Sequence, residues 1–343
     1  GWCSGRDNIM LVVCGSATSW ILSNLSRNRG GLYGRLTCEI KLTPFTLKEC
    51  EDYFKNENIE MSRYDIVQSY MVFGGIPYYL SYFKKGMSFE GNADNILFGK
   101  NPRLKDEFNR LFNAIFSNPE DCKKIIRLLA KKHVGFTREE IAKETGLPFG
   151  GGLTDTLNAL VESDFIQRYR PYNVSGTVSF YKLIDNFSLF WLKYVEPNTE
   201  DINFMTDNMT SNIMRVWRGV AFEEVCWQHI GQIKRALGIS GVSSSISAWS
   251  VKGNDNKEGV QIDLLIIRND NVVNLCEMKF AGDIYSIDKE EDAKIRNRIQ
   301  TLINTLSPKQ SVHLTMITTY GVSHTMYGGR VQQQVILDDL FLS

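Results

Sequence analysis

The pattern of hydrophobic and polar positions predicts a β-hairpin at residues 261–280, QIDLLIIRNDNVVNLCEMKF. Two runs rich in Ile, Leu and Val flank the segment 269–271, Asn-Asp-Asn, whose residues are strong turn formers. In a hairpin centred on Asp270, Asp263 lies opposite Glu277. We therefore expect two acidic residues to face each other within strands that are otherwise suited to burial, where an unpaired charge is costly.

The same pairing determines which side chains share a face of the hairpin. Side chains two apart on a strand point the same way, so Gln261 and Lys279 join Asp263 and Glu277 on one face. The opposite face is nearly all apolar and is expected to pack against helices; its members are Ile262, Leu264, Ile266, Cys276, Met278 and Phe280.

Two opposed carboxylates need a positive partner. Their β-carbons lie about 4.5–5.5 Å apart, and at that range the charges repel unless a cation lies between them or one group binds a proton. A divalent cation with oxygen ligands, Mg²⁺ or Mn²⁺, is the simplest solution. Lys279 could then activate a water molecule or hold a phosphate oxygen. The alternative is a structural ion cluster in which Lys279 only pairs with Glu277 or Asp263.

A helix is predicted before this hairpin, and Glu223 and Glu224 lie near its apolar stripe, so at least one carboxylate can face inward. Residues 286–306 predict a second helix, with acidic residues first and basic ones later, which suits the helix dipole. We interpret it as a covering helix. Segments 312–322 and 331–341 are expected to add a strand and a closing segment.

Residues 121–200 have the pattern of a winged helix, three helices followed by a hairpin. Thr137 and Glu140 form a Thr-x-x-Glu capping box that opens the second helix. The third helix, LTDTLNALVESDF, contains three acidic residues and no Lys or Arg, so it would repel phosphates. We expect it to pack or to dock a partner protein rather than to bind DNA, although basic residues at 130–133 and on the wing favour DNA.

Composition narrows the classes of protein further. The chain has 39 Lys and Arg against 39 Asp and Glu in 343 residues, so no excess of positive charge favours non-specific DNA binding. Its seven cysteines include no Cys-x-x-Cys pair, which predicts neither a zinc ribbon nor a disulfide framework and favours the cytoplasm. No apolar run is long enough to span a bilayer, so no membrane partner is expected.

The first part of the chain contains a buried-strand pattern, IMLVVCG at 9–15, followed by GSATSW. A Gly-Arg pair at 34–35 and a Gly-Gly-x-Pro turn at 74–77 come next. In their order these motifs resemble the second half of the P-loop module in a large family of bacterial and archaeal AAA-type ATPases. The resemblance extends through residue 343.

That resemblance implies roles for three residues of the first segment. Ser16 or Thr18 would be the polar sensor at the end of the strand, and Arg35 would be a sensor or arginine finger beside the nucleotide. A helix cap at Ser16 and a surface arginine at Arg35 are the structural alternatives.

The phosphate loop G-x-x-x-x-G-K-[ST] does not occur in the chain. Phosphoryl transfer depends on that loop and on a held Mg²⁺, so we expect an N-terminal portion to be absent and this chain alone not to hydrolyse ATP. ATP would bind only to a full-length parent, which could form oligomers through its ATPase half.

A helix with a Glu, a strand with an Asp, a turn and then Glu-x-Lys is an order that resembles the PD-(D/E)xK nuclease superfamily. The resemblance implies that Asp263 and Glu277 hold the metal and that Lys279 activates water or stabilises the transition state. Glu223 would be an accessory ligand, with Glu224 as the alternative.

Together the patterns predict an α/β multidomain protein. The expected parts are the end of a P-loop ATPase core (1–43), a helical lid (44–120), a winged helix (121–200) and a restriction-endonuclease-like α/β domain (205–343). Two functions are expected for the last part. It either cleaves DNA or RNA with a divalent metal, or it is an inactive nuclease-like module that binds nucleic acid or protein under the control of the ATPase half.

Overall fold

The computed structural model describes residues 40–173, 178–198, 200–251 and 259–343, and before them the single positions 10, 12, 15 and 38. Ser16, Thr18 and Arg35 lie outside the described residues. Within these ranges helices and two β-sheets form a mixed α/β fold. None of the helices in these ranges is long and apolar enough to cross a membrane.

Among the described residues from 40 to 116, the regular secondary structure is helical and turns connect the helices. They are α1 (Leu47–Asn56), α2 (Arg63–Phe73), α3 (Pro77–Leu80), α4 (Phe89–Leu97) and α5 (Glu107–Ile115). The turn after α2 needs both of its glycines. Gly74 has a φ of 63°, and a β-carbon on Gly75 would lie 2.0 Å from the carbonyl oxygen of Phe45.

The next segment combines three helices with a small antiparallel sheet. The helices are α6 (Pro119–Leu129), α7 (Arg138–Thr145) and α8 (Gly151–Glu162), and the strands are β1 (Phe136–Thr137), β2 (Ile166–Tyr169) and β3 (Phe180–Leu183), in the order β1-β3-β2. The predicted capping box of Thr137 and Glu140 is confirmed at the start of α7. These elements are compatible with the winged-helix interpretation, which stays a prediction.

Helices connect this sheet to the second one. They are α9 (Asn186–Phe190) with a π-helical extension (Trp191–Val195), α10 (Phe204–Asn208), α11 (Asn212–Gln228) and α12 (Ile230–Ala236). The Ser211 side chain caps α11 by accepting a hydrogen bond from the Met214 backbone N–H. This long helix carries the two predicted helical carboxylates, Glu223 and Glu224.

The second sheet has five strands in the order β4-β5-β6-β7-β8. They are β4 (Ser244–Val251), β5 (Val260–Arg268), β6 (Val272–Lys279), β7 (Ser311–Thr318) and β8 (Gln333–Ile336), with short 3-10 helices at Gly328–Arg330 and Leu337–Phe341. The first three strands are antiparallel, and β6, β7 and β8 are parallel. Helix α13 (Lys289–Ile303) provides the crossover that the parallel pair β6–β7 requires.

Both faces of the five-stranded sheet are covered, which explains the apolar runs in its strands. On one face α11 contributes Phe222 and Val225 to a hydrophobic cluster that also contains Leu264, Cys276 and residues of α1 to α5. On the other face α13 contributes Ile295 and Leu302 to a second cluster, together with Leu265 and Leu275. The charged residues of β5 and β6 lie between these two apolar layers.

Candidate functional site

The register of the β5–β6 hairpin agrees with the sequence prediction. Leu264 lies opposite Cys276 and Ile267 lies opposite Val273. Continued by one residue, this register brings Asp263 beside Glu277. The two carboxylates interact, because the charge of Asp263 raises the pKa of Glu277. Asp263 and Glu277 therefore lie near each other at this end of the hairpin, and their role as a shared site stays a prediction.

A β-bulge at Asp263 changes which face the neighbouring side chains occupy. Ser247 of β4 pairs with Leu265, whereas Trp249 pairs with Ile262, so β5 contains one extra residue between these pairs. Ile262 consequently packs in the cluster beneath α13, while Leu264 packs beneath α11. The expectation of one continuous apolar face from Ile262 onward was wrong, because strict alternation of side chains ends at the bulge. The expectation that Gln261 shares a face with Lys279 was wrong as well, since Val260 and Ile262 pack beneath α13 and Gln261 between them points to the other face, whereas Lys279 contacts α13.

Hydrogen bonds fix both the backbone and the side chain of Asp263. The indole N–H of Trp227 donates to the Asp263 carbonyl oxygen at 2.9 Å. The side-chain amide of Gln261 donates to Oδ1 of Asp263 at 2.6 Å. The half-buried carboxylate is thereby held at the junction of β5, β6 and α11.

Glu277 is buried, with 8% of its surface exposed, and it is paired with Arg298 of α13. Both of its carboxylate oxygens lie 3.1 Å from the same Arg298 nitrogen, Nη1. Burial raises the pKa of Glu277 to about 7, against the opposing charges of Arg298 and Lys279. The group therefore accepts a proton more readily than an exposed glutamate does.

Lys279 contacts α13 as well. Its Nζ lies 2.8 Å from Oε1 of Glu291 and 6.0 Å from the centre of the Tyr285 ring. Burial works against the ammonium charge, yet the hydrogen bond with Glu291 and the charge of Glu277 keep the pKa of Lys279 above its ordinary value. The side chain is a cation at neutral pH.

The two adjacent glutamates of α11 have different environments. Glu224 is 1% exposed, and its Oε1 lies 2.8 Å from Nζ of Lys182 on β3. Glu223 is only partly buried. Its pKa is raised to about 8 by burial, then by the charges of Asp263 and Glu224, while Lys182 and Lys279 act in the opposite direction. Glu223 thus belongs electrostatically to the strand carboxylates, whereas Glu224 already has its own cation.

The cluster around the hairpin contains more acids than bases. We define the hairpin cluster as Asp263, Glu277, Lys279, Glu223, Glu291 and Arg298. Four carboxylates face two cations, and two negative charges remain when all six groups are ionised. Such an excess is costly in a partly buried position unless a proton or a further cation compensates it.

The carboxylates of this cluster offer oxygen ligands, which Mg²⁺ and Mn²⁺ prefer, and their excess of negative charge would be balanced by a divalent cation. The donors are not preassembled. Within the described ranges, no group of three or more His, Cys, Asp or Glu side chains is positioned to hold a metal ion. Arg298 holds both oxygens of Glu277, so metal binding at Glu277 requires this pair to open.

Sequence reasoning missed Arg298 and Glu291. Both belong to the helix that was interpreted as a covering helix, and only the placement of α13 over the sheet shows which strand residues they meet. One sequence signal was available. Glu291 and Arg298 are seven residues apart, a spacing that places two side chains on the same side of a helix.

Comparisons with known proteins give limited guidance. No family model matches the chain. A Methanocaldococcus jannaschii protein, uncharacterized protein MJECL04, is 27% identical over 266 residues, which are 76% of this chain and 57% of that protein. The chain thus spans less than two thirds of this relative.

Among solved structures, restriction endonuclease FokI overlaps 65% of this chain and 42% of its own, with 11% identity and a TM-score of 0.23. This overlap is too loose to define a shared fold. The mixed sheet flanked by helices is itself compatible with a restriction-endonuclease-like domain. Neither protein is described as an ATPase, so the resemblance to AAA-type ATPases stays a prediction.

Proposed function

We propose that residues 205–343 form a nuclease-like module that cleaves phosphodiester bonds of DNA or RNA at the hairpin cluster. One observation carries the proposal. Asp263, Glu277 and Lys279 lie on adjacent strands near the same end of the hairpin, and the charges of Asp263 and Lys279 both act on the buried Glu277 in surroundings where acids outnumber bases. A purely structural ion cluster needs no such excess of negative charge.

In this proposal Asp263 and Glu277 would hold Mg²⁺ or Mn²⁺, and Glu223 of α11 would become the third oxygen donor when the side chains move together around the ion. The metal, when bound, supplies Lewis-acid polarisation of the scissile phosphate. Gln261 holds the Asp263 carboxylate in place through its amide. The Trp227 indole fixes the backbone of the same residue from the side of α11.

Lys279 acts as a cation in this proposal. Because its pKa lies above the ordinary value, the amine is protonated at neutral pH and cannot serve as a general base there. Its ammonium group binds a phosphate oxygen and stabilises the negative charge that develops as the bond to phosphorus breaks.

A second function is favoured by the ion pairs themselves. Glu277 and Lys279 each have an oppositely charged partner on α13, so both are compensated without a metal. On this basis the module would be an inactive nuclease-like fold that binds nucleic acid or a partner protein. Binding that is insensitive to a chelator would distinguish it from the nuclease.

The remaining predictions about the whole protein are also proposals. A longer parent would bind ATP at its ATPase half, with Ser16 and Arg35 beside the nucleotide, and would form oligomers through that half. The helical and winged-helix segments would connect ATP binding to the hairpin cluster within the cytoplasm. The acidic α8 is proposed to contact protein rather than DNA.

A cleavage assay tests the nuclease proposal directly. The 343-residue chain is incubated with Mn²⁺ and with single- and double-stranded DNA and RNA, and compared with Asp263→Asn, Lys279→Ala and, as a control on the exposed side of α13, Lys294→Ala. We expect cleavage that a chelator abolishes and that falls about 100-fold or more in the first two variants only.

The alternative outcomes are distinct. Binding of nucleic acid without cleavage, in buffer containing a chelator, supports the inactive module. Cleavage that persists in Asp263→Asn and Lys279→Ala contradicts the assignment of the site.

A further inference from the structure

Helix α13 presents a complementary pair of charges to the Glu-x-Lys segment of β6. Arg298 meets the acid, Glu277, with Nη1 at 3.1 Å from both carboxylate oxygens. Glu291 meets the base, Lys279, at 2.8 Å. One helix therefore supplies a cation to the carboxylate and a carboxylate to the cation of the proposed site.

The spacing along α13 allows both contacts at once. Glu291 and Arg298 are seven residues apart, close to two helical turns, so their side chains leave the helix on the same side. The intervening charged residues Lys294 and Arg296 are exposed and pair with acids of α13 itself, Glu290 and Asp292. Glu291 and Arg298 contact the charged residues of β6, whereas the buried Asp292 between them also pairs with Arg330.

Arg298 does more than neutralise Glu277. Its Nε donates a hydrogen bond to the backbone carbonyl oxygen of Gln261 at 3.2 Å, and its Nη1 contacts Glu277. The guanidinium therefore bridges β5 and β6 at the level of Asp263, between the two strands that carry the proposed metal ligands. A cation that binds Asp263 and Glu277 together must compete with this group.

We propose that Arg298 is a displaceable counter-ion that occupies the place of the divalent cation at Glu277, and that α13 thereby keeps the hairpin cluster closed until metal binds. This inference rests on the proposed function and adds a positioning residue to it. Glu291 plays the corresponding part for Lys279. A substrate phosphate would replace the Glu291 carboxylate as the acceptor of the Lys279 ammonium group.

Charge explains why a divalent cation can win this competition. Arg298 contributes one positive charge, and the cluster keeps an excess of negative charge in its presence. A divalent cation contributes two charges and accepts several oxygen ligands at once. The displaced guanidinium is not stranded, because Arg298 keeps a quarter of its side-chain surface exposed and can turn towards water.

Calorimetric titration with Mn²⁺ in the absence of nucleic acid tests the inference without relying on activity. The full chain is compared with Arg298→Gln, which removes the charge but retains a donor for the Gln261 carbonyl. Arg298→Lys keeps the charge, and Arg296→Gln is the matched control, since Arg296 lies two residues away on the same helix and pairs with Asp292. Circular dichroism checks that each variant is folded.

We expect Arg298→Gln to bind one Mn²⁺ about tenfold or more tightly than the unmodified chain. Arg298→Lys and Arg296→Gln should stay near the affinity of the unmodified chain. Adding Glu277→Gln to Arg298→Gln should remove the gain, because the freed carboxylate is then lost.

Three results would overturn the inference. Equal affinity of the unmodified chain and Arg298→Gln, with cleavage intact, rejects the competition but leaves the nuclease proposal standing. A gain that survives Glu277→Gln places the cation elsewhere. Absence of Mn²⁺ binding in every variant rejects both the inference and the metal in the proposed function.

Discussion

Two groups of buried charges in this protein differ in their balance. Between β3 and α11, Lys182 and Glu224 form a closed pair, 2.8 Å apart and with side chains 5% and 1% exposed. Around β5 and β6, four carboxylates share two cations. The first group balances one negative charge with one positive charge and joins β3 to α11. The second keeps an excess of negative charge, and this imbalance, rather than the burial of charge, is what the proposed cation would compensate.

The largest effect is expected when the closed pair is broken. Glu224→Ala leaves the Lys182 ammonium buried without its paired carboxylate, against the Trp227 ring 4.5 Å away. Removing one partner of a buried pair typically costs about 3–5 kcal/mol of the free energy of unfolding. Urea denaturation measures the loss. A double variant, Lys182→Met with Glu224→Leu, should recover most of it, and a loss below about 1 kcal/mol would show that the pair is not closed.

His229 is a second buried polar residue whose two ring nitrogens both have partners, and it makes the stability of the protein depend on pH. The Leu47 backbone N–H donates to Nε2 at 3.0 Å, and Nδ1 lies 2.8 Å from the Val225 carbonyl oxygen. Burial lowers the pKa of His229 to about 4. The unfolded chain binds the proton at higher pH than the native state does, so the free energy of unfolding falls as pH drops from about 6.5 towards 4.

The expected loss from His229 is on the order of 3 kcal/mol across that range. Urea denaturation at several pH values, compared with His229→Gln, isolates it, because glutamine offers a donor and an acceptor but does not titrate. Parallel pH profiles for the two proteins would contradict the assignment.

A smaller pH effect on stability, of opposite sign, is expected at the hairpin cluster. The pKa of Glu223 is raised to about 8, so the native state binds this proton more tightly than the unfolded chain, and stability falls as pH rises from about 4.5 to 8. Because Glu223 is partly exposed, solvent screens much of this linkage, and Glu223→Gln should stabilise the protein by about 1–2 kcal/mol at pH 8 and by little at pH 5. Thermal unfolding at the two pH values measures the difference, and destabilisation at pH 8 would place Glu223 outside the cluster.

The smallest effect is expected for an exposed pair on the same helix as Arg298. Lys294 and Glu290 are largely exposed and contact each other across one turn of α13. Solvent screens such pairs, so Lys294→Ala should shift the midpoint of thermal unfolding by no more than about 1 °C. A larger shift would mean that any loss of charge destabilises α13. The effect of Arg298→Gln would then have to be compared with that of Arg298→Lys, which keeps the charge.

The hairpin could be predicted from the sequence because its information is local. Asn269 to Asn271 define the turn, and the register of β5 and β6 confirms a symmetric pairing around Asp270 as far as Leu264 and Cys276, the neighbours of Asp263 and Glu277. The capping box at Thr137 is equally local. Both depend only on residues close together in the chain.

The rest depended on contacts between distant residues. The bulge at Asp263 arises where β5 pairs with β4, and no residue within the hairpin indicates that β5 contains an extra residue there. The partners of Glu277 and Lys279 come from α13, and their assignment requires the angle at which that helix crosses the sheet. Local patterns thus identified the acids and the base, but not the groups that oppose them.

Phe280, the residue after Lys279, packs between two parts of the chain that are far apart in sequence. Its ring is 4.8 Å from that of Tyr64 on α2 and 5.4 Å from that of Phe222 on α11. A fragment beginning at residue 205 would keep the second contact and lose the first, exposing an aromatic face beside the proposed catalytic lysine. Helix α2 therefore helps to cover the end of β6, next to the proposed site, and the chemistry of that site is to be measured in the intact chain.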